Sequence, residues 1–213
     1  MKLNKLMFRE YDIRGIWNED ITEEISYYIG RAYATKLLSL KKNKMIVGYD
    51  NRLSSPIIEK NLVKGLTDGG VDVVRLGLVT TPMYYYAWDK LNIHCGIMIT
   101  ASHNPKEYNG FKMSYNGIHN CFGNEVAELY YIILNGIYSK GNGSITDANI
   151  KEDYIKMINS HINMGSNKLK VIYDCGNGTT SIVAKDIFVS NESIYHYLLN
   201  QMGHSLITIL TQR

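Results

Sequence analysis

The chain has 213 residues, 45% apolar and 20% charged, with a formal net charge of +3. Those proportions exclude a disordered tail and suit a globular chain of one large domain, or one domain and part of another. Lysine and arginine are scattered, which excludes an extended nucleic-acid footprint, and no apolar run approaches the ~20 residues that span a bilayer. Cys95, Cys121 and Cys175 are far apart with no Cys-x-x-Cys pair, so neither a disulfide framework nor a zinc site is expected. The charged start, residues 1–10, has no signal-peptide core, and a cytoplasmic protein is predicted.

Asp20, with Glu23 three residues on, has capping-box spacing. Ile25, Tyr28, Ile29 and Ala32 then recur at the interval of an amphipathic helix. Met45-Ile46-Val47-Gly48-Tyr49 reads as a short buried strand running into the charged turn Asp50-Asn51-Arg52. Ser55-Pro56 predicts a helix start, with the hydroxyl as cap and proline at the first helical position, and Gly69-Gly70 its stop. A second strand is predicted over Val71–Leu76, a helix from Thr81-Pro82 through Leu91, and a third strand over Cys95–Thr100. This alternation is the signature of βαβ crossovers onto a largely parallel sheet. Asn116-Gly117, between Phe111-Lys112-Met113 and Ile118-His119, predicts a hairpin that adds an antiparallel pair. Asn124 is the predicted cap of a helix carrying Val126, Leu129, Tyr130 and Ile133, which closes at Gly136.

Ser139–Asn149 is polar, contains glycine and has no periodicity, which predicts a domain boundary. Beyond it come a helix (Glu152–Ile162), a strand (Leu169–Tyr173), a glycine-bearing turn (Asp174–Gly178), another helix and an apolar run, Leu206–Leu210, read as a strand. One crossover cannot cover both faces of a parallel sheet. The expected architecture is therefore α/β: a mixed, mostly parallel sheet sandwiched by helices over 1–147, then an incomplete second α/β domain over 150–213.

The chemistry-bearing stretch is Thr100-Ala101-Ser102-His103-Asn104-Pro105, followed by Tyr108-Asn109-Gly110-Phe111-Lys112. Ser102 would emerge at the carboxyl end of a buried strand, where open α/β sheets bind ligands. A hydroxyl, an imidazole and the ammonium of Lys112 would meet there, the surroundings a phosphoryl-carrying hydroxyl needs. A polar loop punctuated by Asn-Pro explains the same residues without function. Arg9–Gly15 reads equally as a solvated arm, and Asp50–Ser55 as a turn plus helix cap. Asp174–Thr180 has no lysine before its threonines, so a Walker-type nucleotide loop is unsupported.

Taken in order, Glu10-Tyr11-Asp12-Ile13-Arg14-Gly15, Gly48-Tyr49-Asp50-Asn51-Arg52-Leu53-Ser54, Gly77–Pro82 and the serine stretch resemble the first domain of the α-D-phosphohexomutases. Within that family they are closest to the phosphomannomutase/phosphoglucomutase branch. Asp174-Cys175-Gly176-Asn177-Gly178 is similar to the opening of the family's second domain; from about residue 187 the likeness fades, with Ser190–Gln201 read as an insertion or a divergent helix.

The resemblance implies an enzyme that interconverts hexose 1-phosphate and hexose 6-phosphate of mannose or glucose. Ser102 would be the phosphorylated nucleophile, with a hexose 1,6-bisphosphate as intermediate and activator. His103, Lys112 and Arg14 would be catalytic neighbours, and Tyr11, Arg14, Asn104 and Lys112 would contact substrate. Mg²⁺ would take one ligand from the Ser102 phosphate and the rest from an Asp-x-Asp-x-Asp loop. None of the ten aspartates forms such a triplet, so a chain supplying the missing parts is an implied partner and the 213 residues alone are expected to be inactive. The alternatives are a noncatalytic sugar-phosphate-binding or regulatory module and the phosphoglucosamine branch.

Overall fold

A computed structural model describes residues 3–117, 119–163, 170–190 and 194–198. Ten elements build its principal layer: β1 (Ile13–Ile16), α1 (Glu23–Ser39), β2 (Lys44–Tyr49), α2 (Ser55–Asp68), β3 (Asp72–Leu78), α3 (Thr81–Leu91), β4 (Gly96–Ile99), β5 (Tyr108–Ser114), α4 (Asn124–Asn135) and β6 (Ile145–Asp147). The strands form one sheet in the order β1-β5-β4-β2-β3-β6. The β4–β2, β2–β3 and β3–β6 pairs are parallel, and β1–β5 and β5–β4 are antiparallel. The expected mixed, mostly parallel α/β sheet is observed.

Side chains alternate across the sheet, and each face has its own core. Ile13, Val47, Ile97, Ile99, Phe111 and Met113 face α1, α2 and α4, meeting Ile29, Ile58, Leu62 and Leu129. Ile46, Val74, Leu76 and Met98 face α3, meeting Met83, Tyr84 and Trp88. Helices on both faces are what a largely parallel sheet requires.

Several local expectations are corrected. Asp20 does not cap α1: Thr22 does, accepting from the Ile25 N–H at 3.2 Å, while the Asp20 carboxylate accepts from the Ile16 N–H at 3.0 Å. The Ser55 hydroxyl does not cap α2 either, because it donates to Asp50 Oδ1 at 2.7 Å. Asn124 is the first residue of α4, whose N-cap is Gly123 at φ +54°. Nor does Asn116-Gly117 close a hairpin: the antiparallel partners of β5 are β4 and β1, and His119 and Asn120 are not in a strand. An Asn-Gly pair favours a turn but does not dictate that a strand must come after it. Here the chain leaves the sheet after Ser114, whose hydroxyl donates to the His119 carbonyl at 2.7 Å.

The stretch Ser139–Asn149 contains β6, which extends the sheet at β3. Beyond it lie α5 (Lys151–His161), β7 (Lys170–Asp174), a 3₁₀ turn (Thr179–Ile182), α6 (Ala184–Ser190) and β8 (Ile194–Leu198). Ile150 and Val183 are buried against the α3 face, and Tyr154 meets Tyr86 edge-on at 5.6 Å. β7 and β8 pair in parallel. A strand thus occupies part of Ser190–Gln201, where an insertion or divergent helix was expected, and the predicted strand at Leu206–Leu210 lies outside the described residues.

Candidate functional site

β4 ends at Ile99, and the chain turns back into β5 through residues 100–107, so this loop stands at the carboxyl edge of the parallel strands. The Asn104 N–H donates to the Ala101 carbonyl at 3.0 Å, closing a four-residue turn. Ser102, the second residue of that turn, has φ +54°. A serine in the left-handed region is strained, and such strain gathers at functional sites. The Ser102 N–H donates to Thr100 Oγ1 at 2.9 Å, and the side chains of Ser102 and His103 are exposed, with Oγ and Nδ1 3.3 Å apart.

The inner side of the loop is held by Arg52, which is 4% exposed. Its Nη1 donates to the carbonyls of Pro105 at 2.6 Å and Tyr108 at 2.8 Å, and its Nη2 to those of Ser102 at 3.0 Å and Asn104 at 2.8 Å. Nε donates to Asp50 Oδ2 at 3.2 Å. Burial pulls the Arg52 pKa below its ordinary value, and Asp50 opposes that shift. Guanidinium remains protonated in proteins, so a cation sits under the serine loop. Asp50 in turn accepts from the Arg52 N–H at 3.1 Å and the Ser55 hydroxyl at 2.7 Å.

Buried Asn109 ties the loop's far end to the start of α2, donating to Ser54 Oγ at 2.8 Å and Ser55 Oγ at 3.0 Å. The neighbouring Asn51 reaches the other way. Its side chain donates to the Asn177 carbonyl at 2.6 Å and accepts from the Thr179 hydroxyl at 2.9 Å. A cleft of about 360 Å³ opens above these contacts, bordered by Asp50, Thr80, Thr81, Met98, Thr100, Ser102, His103, Thr179 and Thr180.

Arg14 pairs with Asp12 and donates to Asn104 Oδ1, so it grips the serine loop from the β1 side. Its Nε is buried with no partner among the described residues. Arg14 lies opposite Gly110 in the β1–β5 register, and Lys112 is two residues further along, so both side chains leave the same face of the sheet. A Cβ at Gly110 would stand 2.4 Å from the Ile13 carbonyl oxygen, so glycine is what permits β1 and β5 to approach there. Lys112 has no hydrogen-bond or ion-pair partner among the described residues.

The structure thus brings together Ser102 with His103, and Arg14 with Asn104. Tyr11 is 68% exposed and, among the described residues, makes no hydrogen bond. Asp50, Asn51 and Arg52, explained from sequence as a turn and helix cap, form the site's foundation. The available signal was two opposite charges two residues apart, directly after a strand that is uncharged from Met45 to Tyr49. Among the described residues no group of three or more His, Cys, Asp or Glu could hold an ion. Asp50, the carboxylate at the cleft, has both oxygens engaged. These residues alone do not form a Mg²⁺ site.

A strained serine at the carboxyl edge of a mixed α/β sheet, backed by a buried guanidinium, with Arg14 gripping its loop and Lys112 on the same face of the sheet as Arg14, marks the candidate site of this α/β domain. The sequence pattern described as "Phosphoglucomutase/phosphomannomutase, alpha/beta/alpha domain I" matches residues 5–136, more than half the chain, and the chain belongs to that family. It is 41% identical over 182 residues to "Phosphomannomutase/phosphoglucomutase" of Pseudomonas syringae pv. tomato, covering 85% of this chain and 38% of that protein. It is 38% identical over 184 residues to "Phosphoglucomutase" of Neisseria meningitidis serogroup B, covering 85% of this chain and 40% of that one. The crystal structure of a phosphoglucomutase/phosphomannomutase family protein from Burkholderia thailandensis superposes with a TM-score of 0.88 at 30% identity, over 94% of this chain and 45% of that one. The chain therefore spans about 40% of the length of the curated relatives it matches. No helix among the described residues is long and apolar enough to cross a membrane.

Proposed function

We propose that the chain is the serine-bearing portion of a cytoplasmic phosphohexomutase that interconverts the 1-phosphate and 6-phosphate of mannose or glucose. The observation that carries this reading is Ser102, held at φ +54° with its hydroxyl exposed beside His103 at the cleft. In the reaction the phosphorus–oxygen bond to Ser102 breaks as one forms to a hydroxyl of the sugar phosphate. The proton of the sugar hydroxyl ends on the released Ser102 oxygen, which becomes a hydroxyl again, and a hexose 1,6-bisphosphate results. After the bisphosphate turns over in the cleft, Ser102 Oγ takes back the other phosphoryl group.

A phosphoserine carries about −1.5 to −2 charge at neutral pH, which would repel an anionic substrate unless balanced. Arg14 and Lys112, on one face of the sheet, supply that balance, and His103 is the neighbouring imidazole. Tyr11 and Asn104 complete the substrate-contacting set. In this reading residues 1–147 form the first domain and 150–213 the start of a second. Mg²⁺, if bound, would touch this chain only through the Ser102 phosphate and take its other ligands elsewhere.

The test is Ser102→Ala in the complete polypeptide that contains this chain. The wild type is expected to carry a phosphoryl increment of about 80 Da (one HPO₃) that the variant lacks, and hexose phosphate isomerisation is expected to stop in the variant; undiminished turnover would refute the reading. The 213 residues alone are expected to turn over negligibly even with Mg²⁺ and bisphosphate. A second reading is a noncatalytic sugar-phosphate-binding module, in which the cleft at Ser102 and His103 only binds. Calorimetry showing hexose phosphate binding without phosphoryl exchange would favour it.

A further inference from the structure

We infer that Arg52 is a positioning residue for Ser102: it clamps the backbone of the serine loop so that the loop's hydroxyl and free N–H groups face outward. The inference rests on Ser102 being the phosphoryl carrier. A guanidinium has five N–H donors in a fixed planar fork. All five are used here, four on the carbonyls of Ser102, Asn104, Pro105 and Tyr108 and one on Asp50. None is left for a ligand, so Arg52 does not touch substrate without first releasing the loop.

The consequence follows from peptide geometry. In a trans peptide the C=O and the next N–H point in opposite directions. Drawing the Ser102 and Pro105 carbonyls inward to Arg52 therefore directs the His103 and Lys106 N–H groups outward. Neither N–H makes a hydrogen bond among the described residues. Ser102 itself is strained at φ +54°. The clamp is what holds an exposed residue in a conformation it would otherwise leave. Asp50 fixes the guanidinium plane through Nε, and Ser55 fixes Asp50. Loop carbonyls that would ordinarily face water are thus gathered on one buried cation, which is unusual for a surface turn.

Lysine cannot replace this arrangement. Its ammonium is a point charge with three donors and no fork. In the complete polypeptide, Arg52→Lys is expected to lower kcat about 100-fold with KM within about threefold, as for a displaced nucleophile whose binding contacts survive. Exchange of the hydrogen-bonded Ser102, Asn104 and Tyr108 amides is expected to rise at least tenfold, with α1 and β3 unchanged, because only the loop loses its anchor. Arg52→Ala is expected to regain part of its lost kcat in millimolar guanidinium and not in ammonium at equal ionic strength.

Folded Arg52→Lys protein with kcat within about threefold of wild type, or with unaltered exchange at the Ser102, Asn104 and Tyr108 amides, overturns the inference. Equal acceleration of exchange throughout the chain also overturns it, since that is a general loss of stability. Where Arg52→Ala fails to fold, the lysine variant carries both measurements. A wild type without turnover removes the phosphoryl-carrier reading, and the clamp is then judged on exchange alone.

Discussion

α1 and α2 cross at two glycines, and Gly65→Ala tests how the scaffold under the site is packed. A Cβ at position 65 would lie 2.1 Å from the Tyr27 carbonyl oxygen and 3.0 Å from the Arg31 nitrogen. Ordinary contact begins at 3.4 Å, so the helices must part by about 1.3 Å. Both obstructing atoms are backbone, and no rotamer change relieves them. Helix propensity alone favours alanine by about 1 kcal/mol. Overpacking a close-fitted contact costs about 1–3 kcal/mol, and backbone on both sides puts this case at the upper end. The net expectation is a loss of about 2 kcal/mol, or a fall in Tm of about 4–8 °C at this chain length. Circular dichroism melts and urea titrations with an unchanged m value would measure it. Gly30→Ala meets the Leu62 carbonyl oxygen at 2.3 Å and should behave alike. The double variant should cost less than the sum, because one separation relieves both clashes. An alanine at 65 that leaves stability equal or raises it would refute the packing argument.

Two further outcomes concern buried polar groups of β5 and α2. Asn109→Ala removes the donor shared by the Ser54 and Ser55 hydroxyls and is expected to lower stability by about 2 kcal/mol, read as a drop in urea midpoint. A change under about 0.5 kcal/mol would mean those hydroxyls need no partner. Glu59 is 7% exposed, and burial raises its pKa above the ordinary 4.5, with Arg75 acting against the rise. A raised folded-state value means the protonated form favours folding: that contribution is complete below pH 4.5 and is lost as pH climbs through the folded value. Glu59→Gln, which stays neutral, should therefore be more stable than wild type at pH 7 and indistinguishable at pH 4. A constant difference across that range would contradict the assignment.

Residue order was enough to identify elements wherever the cause was local. Apolar runs of strand length, helical spacing and Gly69-Gly70 or Gly136 as stops marked β2, β3, β4 and the helices between them, because those signals act within a turn or two of chain. Ser102 and His103 were legible for the same reason, as neighbours following a buried strand. Caps were missed where a second partner competed. The Ser55 hydroxyl is taken by Asp50, and Asp20 is turned toward Ile16 and Asn4.

The part that could not be read is the part made by long-range contact. The carbonyls held by Arg52 lie 50 to 56 residues further along, and the groups held by Asn51 lie 126 and 128 residues away. Period and propensity carry no information at that range. The sequence by itself singled out Ser102 as the candidate hydroxyl and determined on what kind of sheet it stands. Which buried cation sets its posture, and that β5 turns back antiparallel through the serine loop, depended on which strands came to lie side by side. Burial makes those contacts decisive: an arginine with its donors unfilled could not remain inside.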